Sequence, residues 1–164
     1  MEDTSNYQFT INENQVIISR DFKGTLDQLW AAYTDTTILD QWFAPQPWKC
    51  NTKKQDFEVG GIWLYSMNGP EGEEHWAIFR YEEIIPKKSY SGFDAFTDAE
   101  GNVNPELPTS KWKTEFIPQE TYCTVRNTCT YADKDILNEY LKLGFKEGYE
   151  QSQLNLERWL KNHA

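Results

Sequence analysis

The chain has 164 residues with 26 acidic against 16 basic side chains, a net charge of −10, and 38% hydrophobic and 15% aromatic residues. That charge repels nucleic-acid backbones and anionic bilayers over a Debye length of about 8 Å, so neither is an expected partner. No apolar run approaches the roughly 18 residues a membrane span needs, and residues 1–14 are polar and acidic with no signal-peptide core.

Cys50, Cys123 and Cys129 are an odd set without Cys-x-x-Cys spacing, which argues against a disulfide framework or a zinc site and for a reducing, cytoplasmic setting. A chain of this length buries roughly 70% of its unfolded surface. Seven tryptophans make that core one of few, large side chains, an interior that tolerates a pocket.

Residues 1–14 read as a loose arm ahead of a single domain over 15–162, although Tyr7, Phe9 and Ile11 alternate as an edge strand would. Val16 through Phe22 predicts the first strand. Thr25 with Gln28 forms a capping box, so a helix starts there with Leu26, Leu29, Trp30 and Tyr33 on one face. A second short helix from Thr36 to Trp42 stops ahead of Pro45, because the residue before a proline disfavours helix. Gly60-Gly61 then opens a strand in which Trp63, Tyr65 and Met67 alternate. Strands are predicted over residues 61–67, 75–85, 89–96, 111–118 and 122–131, separated by turn chemistry. Residues 98–109 are the longest loop. Asp133 caps a helical region running to about residue 162, with Gly144 and Gly148 marking a break or a close approach. Phe145, Tyr149, Ser152, Leu156, Trp159 and Leu160 recur at helical spacing on its inner stripe.

Arg20-Asp21-Phe22, Leu29-Trp30-Ala31-Ala32-Tyr33, Trp42-Phe43-x-Pro45, Asp56-x-x-x-Gly60-Gly61, Glu83-Ile84-Ile85-Pro86 and Gly148-Tyr149 with Leu156 and Leu160 carry a resemblance. In this order and spacing they resemble the family of the activator of the Hsp90 ATPase, within the START/Bet v1-like (SRPBCC) superfamily. The resemblance covers roughly residues 15–162. It implies an α+β helix-grip fold: a curved antiparallel sheet of six or seven strands, two short helices, a long C-terminal helix and an internal cavity. That superfamily hosts carriers, cyclases and co-chaperone modules. Three positions depart from the family pattern. Glu58 and Val59 replace the usual basic residue and proline before the glycine pair, which argues against an anion site there. Gln153 stands where an apolar residue is expected, so it either faces the cavity or sits solvated at its rim. Nothing resembles a second Hsp90-binding domain.

The residues themselves offer little catalytic machinery. His75 follows an acidic turn and His163 is penultimate, so both read as solvated. Asp98, Glu100, Asn102 and Asn104 alternate, but Val103 and Thr109 fall where a calcium loop needs glycine and glutamate. Cys123 and Cys129 share a strand face with Val125 and Asn127 as packed small residues. Arg126 lies on the opposite face, external or buried beside an anion. Trp42, Trp63, Tyr65, Trp76, Trp112, Tyr149 and Trp159 are core, pocket wall or both.

The reading that follows is a binder of a small apolar or aromatic molecule, held between sheet and C-terminal helix by Trp42, Trp63, Tyr65, Met67, Tyr149, Gln153 and Leu156. No catalysis, metal or cofactor is expected, and no association beyond a weak dimer. The alternatives are a module that modulates a chaperone ATPase, with a chaperone as partner, and a polyketide cyclase-like enzyme.

Overall fold

The computed structural model describes residues 7–163. Its elements are β1 (Tyr7–Asn12), β2 (Gln15–Phe22), α1 (Leu26–Thr34), α2 (Thr36–Trp42), β3 (Lys49–Gln55), β4 (Ile62–Asn68), β5 (Glu74–Ile85), β6 (Ser89–Thr97), β7 (Ser110–Pro118), β8 (Cys123–Thr130), α3 (Lys134–Lys142) and α4 (Phe145–Asn162). All eight strands form one antiparallel sheet in the order β1-β2-β8-β7-β6-β5-β4-β3. The helix-grip class therefore holds, with eight strands rather than six or seven.

Two elements account for the difference. Residues 7–12 pair with β2 from Tyr7 opposite Arg20 to Asn12 opposite Gln15, so this part of the N-terminal segment is an edge strand and not a loose arm. Residues 1–6 of that expected arm lie outside the described residues. The other added strand, β3, reads Lys-Cys-Asn-Thr-Lys-Lys-Gln and places only Cys50 in the core. It has no apolar alternation for a period-2 reading to find.

The helices begin where the local chemistry directs. The Thr25 hydroxyl accepts from the Gln28 amide at 3.1 Å while the Gln28 side chain accepts from the Thr25 amide at 2.8 Å. Asp133 caps α3 through the Ile136 amide at 2.9 Å. The C-terminal helical region divides at Gly144, which adopts φ +100°, a left-handed conformation that costs a side-chain-bearing residue steric strain. Gly148 does not break the helix; it lies inside α4, beside Pro45.

The glycine pair earlier in the chain has a different cause. A Cβ on Gly61 would stand 2.1 Å from the Asp56 carbonyl oxygen, so only glycine permits this approach. The pair is tied to β5, with Gly60 donating to the Tyr81 carbonyl and Tyr81 donating to the Gly61 carbonyl.

Strand alternation sorts the side chains into two faces. The inner face carries Phe22, Trp63, Tyr65, Ala77, Phe79, Tyr81, Phe116, Cys123 and Val125, packed with Leu29, Ala32, Tyr33, Leu39 and Trp42 of α1 and α2 and with Leu156 and Leu160 of α4. A second cluster of Val16, Ile18, Cys129, Tyr131 and Leu137 anchors α3. On the outer face Leu64, Ile78 and Ala95 form a small cluster. The β6–β7 loop crosses it, Gly101 lying over Leu64 and Ile78, and Lys53 Nζ holds the Ala99 carbonyl at 2.7 Å.

Candidate functional site

The inner face and the helices leave a hollow of about 500 Å³. Its walls come from Tyr33, Trp42 and Phe43, from Trp63, Tyr65 and Met67 of β4, from Phe79 and Tyr81 of β5, and from Tyr90 and Phe96 of β6. The α3–α4 corner closes it with Tyr140, Leu143, Phe145 and Tyr149. A smaller outer lobe of about 270 Å³ adjoins it, bordered by His75, Trp76, Pro108, Ser110 and Tyr131, and shares Tyr65, Met67, Asp94, Phe96 and Trp112 with the first. The aromatic walls brace one another. Trp63 stacks on Tyr65 with centroids 4.0 Å apart, and Phe43 meets both edge-on at 5.0 and 5.5 Å.

Polar groups are few and mutually arranged. Thr114 Oγ1 donates to Asn127 Oδ1 at 2.6 Å, and Asn127 Nδ2 donates to Tyr149 Oη at 2.5 Å. Gln153 Nε2 lies 3.4 Å from Tyr33 Oη, a long hydrogen bond. Burial pushes the Tyr33 hydroxyl up to about 12, although the hydrogen bonds from Gln153 and Asn127 favour the phenolate. Burial likewise raises Tyr65, Tyr90 and Tyr149 far above the ordinary phenol range. At neutral pH these phenols are neutral hydroxyls that donate or accept hydrogen bonds but supply no base.

One charged side chain lines both lobes. Asp94 follows Tyr90 on the inward alternation of β6, and its accessible surface opens onto the hollow. Burial raises its carboxyl to about 7, opposed only by a hydrogen bond from the Ala95 backbone amide.

With this geometry in place, the family model described as "Activator of Hsp90 ATPase homolog 1-like protein" matches residues 23–161. The chain belongs to that family. No curated protein matches it. A crystal structure of a Mycobacterium smegmatis protein superposes with a TM-score of 0.84 at 23% identity, covering 95% of this chain and 96% of that one. A solution structure of an Arthrobacter aurescens protein gives 0.88 at 20% identity over 94% and 91%. At these identities the likeness establishes the fold alone.

Within this Hsp90 ATPase activator homologue fold, Trp42, Trp63, Tyr65, Met67, Tyr149 and Gln153 come together on the wall of the hollow. Leu156 does not; it is fully buried in the core behind the wall. Gln153 is only 2% exposed, which excludes the solvated-rim alternative. Of the other aromatics, Trp112 lines the hollow and Trp76 the outer lobe, whereas Trp159 packs at the end of α4 and stacks on His163 at 4.3 Å. Arg126 is on the exposed face and all three cysteines are free and buried. His75 and His163 are exposed, as the sequence suggests. The Asp98 loop is an internally bonded turn, Asp98 accepting from the Glu100 and Asn102 amides. Among the described residues no group of three or more His, Cys, Asp or Glu is placed to hold a metal, and no helix is long and apolar enough to cross a membrane. Tyr33, Phe79, Tyr81, Tyr90, Asp94, Thr114 and Asn127 also line the hollow and are not among the residues the sequence assigns to it. For Asp94 and Asn127 a signal existed: each is polar at an alternation position whose neighbours two residues away are aromatic, small or apolar.

Proposed function

We propose that this chain binds a small apolar or aromatic molecule in the hollow between the sheet and α4, in a reducing compartment where its three thiols stay free. The observation that carries this reading is a hollow of about 500 Å³ walled by stacked aromatic rings and provided with only a few convergent polar groups, the usual character of a small-molecule site. Trp42, Trp63, Tyr65, Met67 and Tyr149 serve as apolar walls, and Gln153 as a polar handle that orients the ligand. The neutral phenols around them favour binding over base catalysis.

Native mass spectrometry of the protein isolated from its host tests the proposal, followed by titration of the captured compound against tryptophan fluorescence and amide NMR shifts. Shifts at Trp42, Trp63 and Trp112 are the expected result. Shifts confined to the outer loops, or none across a broad apolar library, would instead favour a surface that modulates a chaperone ATPase, the activity in the family's description.

A further inference from the structure

The ligand-binding reading leaves Asp94 without a task. Among the described residues no side chain hydrogen-bonds to it and no ion pair includes it, and no lysine or arginine lines either lobe. A half-buried carboxyl that lines an apolar hollow without a counter-charge is costly to ionise. The groups that face it are Tyr65 from β4, Cys129 and Tyr131 from β8 and the segment after it, and Tyr140 from α3. His75 of β5 reaches only the outer lobe and stacks on Trp48 at 5.4 Å. None of these is a lysine or an arginine.

What surrounds the carboxyl is aromatic. Tyr131 and Tyr140 stack at 5.2 Å with planes 14° apart, and Trp112 and Phe145 stack at 6.1 Å with planes 13° apart. Ring faces attract cations, most strongly where water is excluded, and a carboxylate beside them adds a direct charge partner. The net charge of −10 also draws cations and repels anions.

Resting on the ligand-binding reading above, we propose that the occupant is an organic cation: a protonated or quaternary amine bearing an apolar or aromatic group, its nitrogen seated at Asp94 where the two lobes meet and its apolar part filling the larger lobe. A neutral hydrogen-bond acceptor would select the protonated acid and an anion would be repelled, so the three ligand classes respond differently to pH.

The test compares benzyltrimethylammonium with its uncharged isostere neopentylbenzene by calorimetry and tryptophan fluorescence on the full chain. The quaternary probe has no proton to lose, so any pH dependence belongs to the protein. Expected is a preference for the cation of about tenfold or more at pH 8. Because the cation selects the ionised form of a carboxyl that titrates near 7, its affinity rises about tenfold from pH 6 to pH 8. In Asp94→Asn the preference and the pH dependence both vanish while neopentylbenzene still binds. Should that variant fail to fold, carbon-13 NMR of the Asp94 carboxyl in the wild type decides, since bound cation must shift its titration to lower pH. Equal or tighter binding of the neutral isostere by wild type, an unchanged preference in Asp94→Asn, or affinity that rises as pH falls would overturn the cation assignment and leave the ligand-binding reading standing. Failure of both probes to bind would overturn both.

Discussion

Replacing Leu156 by alanine separates packed wall from open wall. Leu156 has no exposed surface, belongs to the cluster that includes Phe22, Leu29, Trp42 and Val125, and does not itself line the hollow. The deletion removes three carbons, worth about 2.4 kcal/mol at about 0.8 kcal/mol for each buried group. How far the site can collapse decides the rest. Ser152 Oγ donates to the Phe43 carbonyl at 2.8 Å, Asn155 Nδ2 donates to the Trp42 and Ala44 carbonyls at 3.3 and 3.0 Å, and Trp159 Nε1 donates to Gln41 Oε1 at 3.0 Å, so α4 is pinned to α2 on both sides of Leu156. A pinned helix cannot move in to fill the space, and the total loss is expected at about 3–5 kcal/mol, the upper part of the range for such substitutions. For a chain of this size that lowers Tm by roughly 10 °C. Urea unfolding followed by tryptophan fluorescence and far-ultraviolet circular dichroism measures it, with the m-value unchanged if the transition remains two-state. A loss below about 1.5 kcal/mol would refute the reasoning, because it would mean that Leu156 borders open space or that α4 is free to shift.

Three further outcomes are expected. Gln153→Leu exchanges similar volumes and removes only the long contact to Tyr33, so stability should change by less than about 1 kcal/mol while the order of affinities across a ligand series changes; an unaltered order would remove Gln153 from the site. The Asp94 carboxyl titrates at about 7 in the folded chain against an ordinary 3.8, so the folded state holds the proton more tightly, and this group's contribution falls as pH rises from about 4 to about 7. Asp94→Asn should therefore gain on the wild type across that window by on the order of 1–3 kcal/mol in urea titrations at each pH, whereas a constant difference would mean the carboxyl is solvated or paired. Gly144→Ala forces a side chain into the left-handed region at φ +100° with no neighbour to clash, and should cost about 1–2 kcal/mol by chemical unfolding; a neutral or stabilising result would show that the α3–α4 corner relaxes.

What was legible in the chain was whatever a local rule dictates. Thr25 and Gln28 announce α1 because both halves of a capping box lie within four residues, and Gly60-Gly61 announces a close approach because few other residues survive one. The polar strand β3 escaped because its place is set by pairing to β4, from Lys49 opposite Asn68 to Gln55 opposite Trp63, and not by burying its own side chains. Gln153 illustrates a different limit. The family resemblance puts it where an apolar residue is expected, but whether that position meets water or Tyr33 depends on how α4 sits against α1, a tertiary fact. Asp94 was passed over for a related reason. A single acidic residue within an aromatic strand looks the same in sequence whether a lysine answers it across the sheet or nothing does.

The polarity that hid β3 has a further consequence. As the last strand of an open sheet, β3 carries Lys49, Lys53 and Lys54 exposed, with a bulge between Thr52 and Lys54. A flat apolar strand there would present free amides and carbonyls as a template for a strand from another molecule, the first step toward aggregation. An incoming strand must instead meet three ammonium groups and a broken ladder. Changing the three lysines to valine or threonine would make the edge a better strand by propensity and a worse neighbour in a crowded cell.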